Sequence, residues 1–317
     1  MLTERFRFDP SYWALILGGS SGFGLATAQK LARHGMNLAI VHRDRKGAMP
    51  AIEPKFDELR ATGVSVLALN LDALSLEGRK TALDALAAKL GSSRVRLLLH
   101  SIAFGNLKPL VDAKAQAGAV SAREQLAAKL GVDAGVLGEA VRAVFASGTA
   151  DALAELVEAP ASEPGLNLED EDFARTVYSM GTSLVTWTQD LFTRGLFSAD
   201  ARVIGLTSEG NELAWRGYAA VSAGKLALES CSRSIAVELG PYGVRSNIVQ
   251  AGVTDTPALR LIPGNDRMKA GARLRNPLGR LTTPADVADF ICLLATDEAR
   301  WVNGALIRVD GGERVAG

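Results

Sequence analysis

Short apolar runs recur along the chain, most of them separated by stretches of helical period. ALILG (14–18), NLAIVH (37–42), VSVLAL (64–69), VRLLLHS (95–101), ARVIGL (201–206), VRSNIV (244–249) and ALIRVD (305–310) predict β-strands. Several lack polar alternation, the pattern of a strand covered on both faces. Helical spacing predicts helices over GLATAQKLARHG (24–35), TALDALAAKLG (81–91), DFARTVYSMGTSLVTWTQDLF (172–192), KLALESCSRSIAVELG (225–240) and PADVADFICLLAT (284–296). Gly35 and Gly240 stand where helix C-caps are expected. Strand–helix alternation of this kind predicts an α/β fold: a doubly wound parallel sheet with helices on both faces, residues 1–317 forming a single domain.

Residues 108–165 interrupt the rhythm. This stretch holds no strand pattern and is rich in alanine. SAREQLAAKLG (121–131) carries a capping box, Ser121 with Glu124, and a closing Gly131. GEAVRAVF (138–145) and ADALAELVEA (150–159) continue in helical period, and EAPASEPGLN (158–167) reads as a linker. The expectation is a helical insertion leaving the carboxyl end of the strand that closes at Ser101, the end at which open α/β sheets bind ligands. A cover over that site and a decoration or subunit contact both fit the pattern.

Composition narrows the partners. The 317 residues are 48% hydrophobic and 22% charged, an ordinary globular balance. Thirty-five basic residues match 35 acidic ones, so net charge gives no reason to expect nucleic acid or an anionic membrane. No apolar run approaches the roughly 18 residues of a membrane span. The start, MLTERFRFDPSYW, carries charge and lacks the apolar core of a secretory signal. The two cysteines, Cys231 and Cys292, fall in apolar helical patterns and suit buried, reduced thiols. These features lead to the expectation of a soluble cytoplasmic protein.

The first strand runs directly into a glycine loop and then a helix, LILGGSSGFGLATA (15–28). Glycines 18, 22 and 24 permit a tight turn and close approach of a pyrophosphate. The helix N-terminus offers free N–H groups and the positive end of its dipole. Gly18, Ser20, Ser21, Gly22, Phe23 and Gly24 are therefore candidate dinucleotide-binding residues of a Rossmann fold. The second strand ends at HRDRK (42–46), where an acid would hold the ribose hydroxyls of NAD. Arg43 comes first instead, and a guanidinium suits a 2′-phosphate. NADPH is favoured over NADH, though Asp44 keeps NADH open. Asp72, after the third strand, has two readings: an acceptor for the adenine amine, or a cap for the following turn.

The GGSSGFG loop, YAAVSAGK (218–225), AGVTDT (251–256) and the terminal VNGALIRVDGG (302–312) resemble the short-chain dehydrogenase/reductase superfamily over nearly the whole chain except the insertion. HSIAF (100–104), together with a tyrosine seven residues before the lysine, is similar to the enoyl-acyl-carrier-protein reductases within it. The resemblance implies that Ser101, Ile102 and Ala103 pass beside the nicotinamide ribose and that His100 is structural. It implies that Gly252, the Val253 backbone, Thr254 and Thr256 meet the nicotinamide carboxamide and pyrophosphate. It also implies a substrate loop over LRLIPGNDRMKAGARLRNPLGR (259–280) and a homotetramer. The five arginines and one lysine of that loop would attract an acidic carrier protein or a coenzyme A phosphate.

Tyr218 and Lys225 are read as lying on one helix. At about 100° and 1.5 Å per residue, a four-residue spacing leaves two side chains some 40° apart and about 6 Å along the axis. Seven residues leave some 20° and about 10.5 Å. Lys225 would hold the nicotinamide ribose while the Tyr218 phenol sits about one turn away. A ketone needs its proton donor beside the hydride, whereas an enoyl thioester takes hydride at C3 and develops charge on a more distant carbonyl oxygen. The longer spacing suits the second case. The sequence also mixes features. Ser208, seventeen before the lysine, is the carbonyl-reductase residue where the enoyl reductases usually carry an aromatic. Val221 fills the common tyrosine position. Ser208 either hydrogen-bonds a substrate carbonyl or merely ends a strand. The leading expectation is reduction of a trans-2-enoyl thioester on acyl carrier protein or coenzyme A. A carbonyl reductase using Ser208, Tyr218 and Lys225 is one alternative, and a non-catalytic NADP-binding sensor is another.

Overall fold

Strands without polar alternation need cover on both faces, and the structure provides it. It is a computed structural model describing residues 6–112, 121–148, 150–157 and 165–316. β1 (Tyr12–Leu17), β2 (Asn37–His42), β3 (Val66–Asn70), β4 (Arg94–His100), β5 (Phe197–Ser208), β6 (Val244–Ala251) and β7 (Leu306–Val309) form one parallel sheet. Their order is β3-β2-β1-β4-β5-β6-β7, so the winding reverses between β1 and β4. All seven expected strands are present.

The helices are α1 (Gly22–Arg33), α2 (Met49–Arg60), α3 (Leu76–Leu90), α4 (Ala122–Leu130), α5 (Ala134–Ala146), α6 (Asp170–Val177), α7 (Ser183–Thr193), α8 (Ala219–Glu238), α9 (Pro257–Arg260), α10 (Asn265–Arg275) and α11 (Pro284–Leu294). On one face of the sheet, Leu31 of α1, Phe56 of α2 and Ile291 of α11 share a buried cluster with Ile16 and Ile40. On the other, Leu86 of α3, Trp187 of α7 and Leu228 of α8 share one with Leu15, Leu98 and Val203. Trp187 is fully buried and donates its indole N–H to the Ala73 carbonyl at 3.0 Å, which ties α7 to the turn after β3. Truncating such a buried ring costs about 3–5 kcal/mol.

Several expectations need correction. α2 was not expected: two prolines and scattered charge obscure it. Pro50 sits in its first turn, where its missing N–H is harmless, and Ile52, Phe56 and Leu59 form the buried face. The helix expected over 172–192 is broken into α6 and α7 by a wider turn at Tyr178–Thr182. Gly35 follows α1 with φ +85, as a helix stop requires. Gly240 does not: α8 is capped by Leu239, and the left-handed residue is Gly243. Residues 259–280, read as a loop, contain the second half of α9 and all of α10.

The insertion contributes α4, α5 and a short 3₁₀ helix, Asp151–Leu156, shorter than the helical period suggested. The Ser121–Glu124 capping box and the left-handed Gly131 stop both form. Residues 158–164, most of the expected linker, lie outside the described residues. No helix among the described residues is long and apolar enough to cross a membrane.

Candidate active site

Parallel pairing aligns the carboxyl ends of the strands, so the loops after Leu17, His42, Asn70, His100, Ser208 and Ala251 gather on one edge. That edge carries two adjoining clefts, of about 300 and 220 Å³. They share Phe23, Ser101, Ile102, Ala103, Thr256 and Ala258, so they form one continuous groove at the point where the winding reverses.

Gly18, Ser20, Ser21, Gly22, Phe23, Arg43, Asp72, Ser101, Ile102, Ala103 and Thr256 line the larger cleft. Gly18 adopts φ +86, and a Cβ there would overlap the Ser101 carbonyl oxygen. Gly24 lines neither cleft: a Cβ on it would overlap the Gly18 carbonyl and stand 3.0 Å from Gly19 Cα. Its role is to let α1 close on the turn. α1 has no acid in its first turn and Lys30 and Arg33 in its last, so its N-terminus keeps its positive end unopposed. This cradle fits a pyrophosphate.

Of the two readings of Asp72, the geometry shows the turn cap. Its Oδ1 accepts the Leu74 N–H at 2.9 Å, capping the turn, and its Oδ2 pairs with Arg43 at 3.0 Å. The Arg43 guanidinium also lies 5.1 Å from the centre of the Phe104 ring. Asp44 is turned away, paired with His42 Nδ1 at 2.8 Å, and does not line the cleft. Arg45 and Lys46 do not line it either.

Lys225, Tyr218 and Ser208 line the smaller cleft with Gly252, Val253, Thr254 and Thr256. Lys225 is buried and donates to the Leu206 carbonyl at 2.8 Å. Burial pulls its pKa down to about 8, against the opposing pull of the Glu229 carboxylate. Tyr218 is not inside the helix: it is the N-cap of α8, its carbonyl accepting the Ser222 N–H at 2.9 Å. The two-turn arithmetic therefore overstates the regularity of the pair, yet both side chains open on the same groove. Burial raises the phenol above its ordinary range. The Ser208 hydroxyl offsets part of that, and the Glu209 carboxylate adds to it. The Ser208 Oγ is itself buried and closes no hydrogen bond of ordinary geometry. Val221 packs in the cleft wall, buried.

The other expected contacts are partly spoken for. The Val253 N–H donates to Glu313 Oε2 at 3.1 Å, so only its carbonyl remains for a ligand. Thr254 Oγ1 donates to the Gly252 carbonyl at 2.9 Å, and Thr256 Oγ1 caps α9 by accepting from Leu259 N–H. His100 is buried against Ser183 Oγ at 2.8 Å. Burial, then the nearby Lys225 charge, takes its pKa down to about 3, so it stays neutral. No cluster of three or more metal-ligating side chains occurs among the described residues.

Two groups escaped the sequence. Glu209, directly after Ser208, lines the smaller cleft and pairs with Arg275 at 2.9 Å; Arg275 also reaches Glu313 at 3.0 Å. Glu229 is buried one helical turn past Lys225 and accepts from Thr207 Oγ1 at 2.8 Å and Asn211 Nδ2 at 2.6 Å. The i,i+4 spacing from Lys225 was a usable signal for Glu229; Glu209 had none beyond its place at a strand end. The basic stretch 259–280 also differs from expectation. Arg260 pairs with Asp255, Lys269 with Asp266, Arg273 with Asp151, Arg275 with Glu209 and Glu313, and Arg280 with Asp286. Its charge is largely answered within the chain, which removes the electrostatic argument for an acidic carrier.

A family model described as Enoyl-(Acyl carrier protein) reductase matches residues 139–313, and one described as short chain dehydrogenase matches residues 12–122. Among curated proteins, cis-4-hydroxycyclohexanecarboxylate dehydrogenase of Sinomonas cyclohexanicum is 42% identical over 29% of this chain and 36% of its own length. The chain spans only 36% and 54% of two of the first curated relatives it matches. Among solved structures, an enoyl-[acyl-carrier-protein] reductase (NADH) from Aquifex aeolicus superposes with a TM-score of 0.70 at 21% identity, covering 96% of this chain and 98% of that one. A short chain dehydrogenase from Burkholderia cenocepacia in complex with NADP gives 0.67 at 20% identity, covering 98% and 100%. Both are likenesses of fold.

Proposed function

The chain belongs to the short-chain dehydrogenase/reductase superfamily, and from that premise we propose that it reduces trans-2-enoyl thioesters to saturated acyl thioesters, using NADPH in preference to NADH. The observation that carries this reading is the placement of the Tyr218 phenol. It lines the groove beside Lys225 but at the head of α8, while apolar Val221 fills the wall one turn before the lysine. The cofactor preference rests on Arg43, which lines the larger cleft, and on Asp44, which is committed to His42. A homo-oligomeric, cytoplasmic enzyme is the assembly and setting proposed with it.

The chemistry supplied by the dinucleotide, when bound, is donation of a hydride to C3 of the enoyl group. The electron pair of the C2–C3 double bond then moves toward the thioester carbonyl oxygen. Tyr218 faces that oxygen and donates a hydrogen bond to it, stabilising the enolate as it forms. Lys225, held by the Leu206 carbonyl, would bind the nicotinamide ribose and place a positive charge beside the phenol. A proton taken up from solvent after hydride transfer is delivered to C2 and completes the reduction. The apolar walls, including Phe23, Ile102, Leu107, Met180 and Met268, keep water from the enolate.

Ser208 supports a second reading. Its buried, unpaired hydroxyl at the cleft is placed to bond a substrate carbonyl, as a 3-oxoacyl or ketone reductase requires. Loss of reduced-nicotinamide absorbance with crotonyl-coenzyme A and with a 3-oxoacyl thioester separates the two. Turnover of the enoyl substrate is the expected result. Turnover of the 3-oxo substrate alone overturns the first reading.

A further inference from the structure

No described residue of the insertion lines the reaction groove. The insertion reaches α10 instead. Asp151, at the head of its 3₁₀ helix, accepts two hydrogen bonds from Arg273, from Nε at 2.7 Å and from the terminal nitrogen at 2.5 Å. Ala154 is buried, 6% exposed, on the same short helix. Both partners are largely shielded, Arg273 31% and Asp151 18% exposed. A bidentate, charge-assisted pair of this kind fixes orientation as well as position.

Helical geometry shows what that pair holds. Met268 and Arg275 are seven residues apart, within about 20° on one face of α10, while Arg273 lies about 140° from Met268. Met268 lines the cleft, and Arg275 reaches the buried Glu209 beside Tyr218. The outer face of α10 therefore meets the insertion while its inner face forms the pocket wall. We propose that the Asp151–Arg273 pair is a positioning strut for the acyl pocket. Through it the insertion sets where α10 stands, and so how well the site takes long acyl chains. This rests on the thioester reading above and assigns its chain-length selectivity to a contact outside the groove.

The test uses the full chain with Asp151→Asn, Arg273→Gln and the charge exchange Asp151→Arg with Arg273→Asp. kcat and KM are measured with trans-2-dodecenoyl- and crotonyl-coenzyme A, NADPH affinity by fluorescence titration, and hydrogen exchange over 265–275. Each single variant should raise KM for the long substrate about tenfold, leaving crotonyl KM and NADPH affinity within about twofold. Exchange over α10 should quicken by at least about fivefold, and the charge exchange should restore both readouts. Equal KM changes for both chain lengths, or an unchanged α10 exchange rate, overturn the proposal. If the wild type reduces neither thioester, the activity reading fails by itself and the exchange measurement alone decides the strut.

Discussion

Gly210 offers a way to move the Tyr218 phenol without touching its chemistry. It sits buried in the 3₁₀ turn Glu209–Asn211, under the ring. A Cβ at 210 would stand 2.9 Å from Trp215 Cζ3, 3.1 Å from Tyr218 Cδ1 and closer still to Tyr218 Cε1. Carbon atoms rest at about 3.5–4.0 Å, so in Gly210→Ala the ring must retreat by on the order of 1 Å. Trp215, packed edge-on against Tyr218 at 5.1 Å between ring centres, hinders the retreat. A misplacement of about 1 Å is worth up to about 10²-fold in rate, or ~2.7 kcal/mol of barrier. The expected result with an enoyl thioester is a kcat lower by about 30- to 100-fold, with NADPH affinity unchanged because the dinucleotide cradle lies elsewhere. Steady-state kinetics and a fluorescence titration measure both. If Gly210→Ala keeps kcat within about twofold while the folded protein binds NADPH normally, the phenol's position is not what limits the reaction.

Four further outcomes follow from the structure. Because burial takes Lys225 to about 8 from an ordinary 10.5, kcat/KM should fall as pH rises through about 8. Between those values the unfolded lysine holds the extra proton, so the lysine's contribution to stability should instead increase with pH, read by thermal melts. Arg43→Ala should weaken NADPH by about 10- to 100-fold, the worth of a charged hydrogen bond, and leave NADH within about threefold by titration. Asp200→Asn should cost about 3–5 kcal/mol in urea unfolding, since Arg202, 1% exposed, would lose the carboxylate it pairs with, while Arg96 keeps Asp297.

The strands were legible because burial on both faces leaves a continuous apolar run, and the groove was legible because each of its loops follows such a run. The helix boundaries were less so. α2 hides behind Pro50 and Pro54, whose tolerance depends on where the helix begins. Tyr218 reads as helical from its spacing, but a residue at the head of a helix keeps the same neighbours without helical dihedrals, φ −107 and ψ 3 here. The ties that hold α10 left no local trace. Arg275 meets Glu209 across 66 residues and Arg273 meets Asp151 across 122, and a single sequence pairs such charges only through the fold.

The electrostatics of the groove also bear on the direction of the proposed chemistry. Burial acts oppositely on its two titrating groups, lifting the Tyr218 phenol and lowering the Lys225 ammonium to about 8. At neutral pH both therefore carry their protons, and the phenol is a donor ready to meet an oxyanion. Oxidising an alcohol would need the phenolate, which the carboxylate of Glu209 disfavours further. Arg275 holds that carboxylate in place and shares its own charge with Glu313, whose carboxyl is raised by burial and by Glu209. The Glu209 carboxylate thus works against proton removal from the phenol and leaves its O–H in place as a donor. At neutral pH the groove therefore begins with a protonated phenol and a protonated ammonium, the donors that reduction calls on, and the charge on Lys225 is the group there that favours a developing oxyanion.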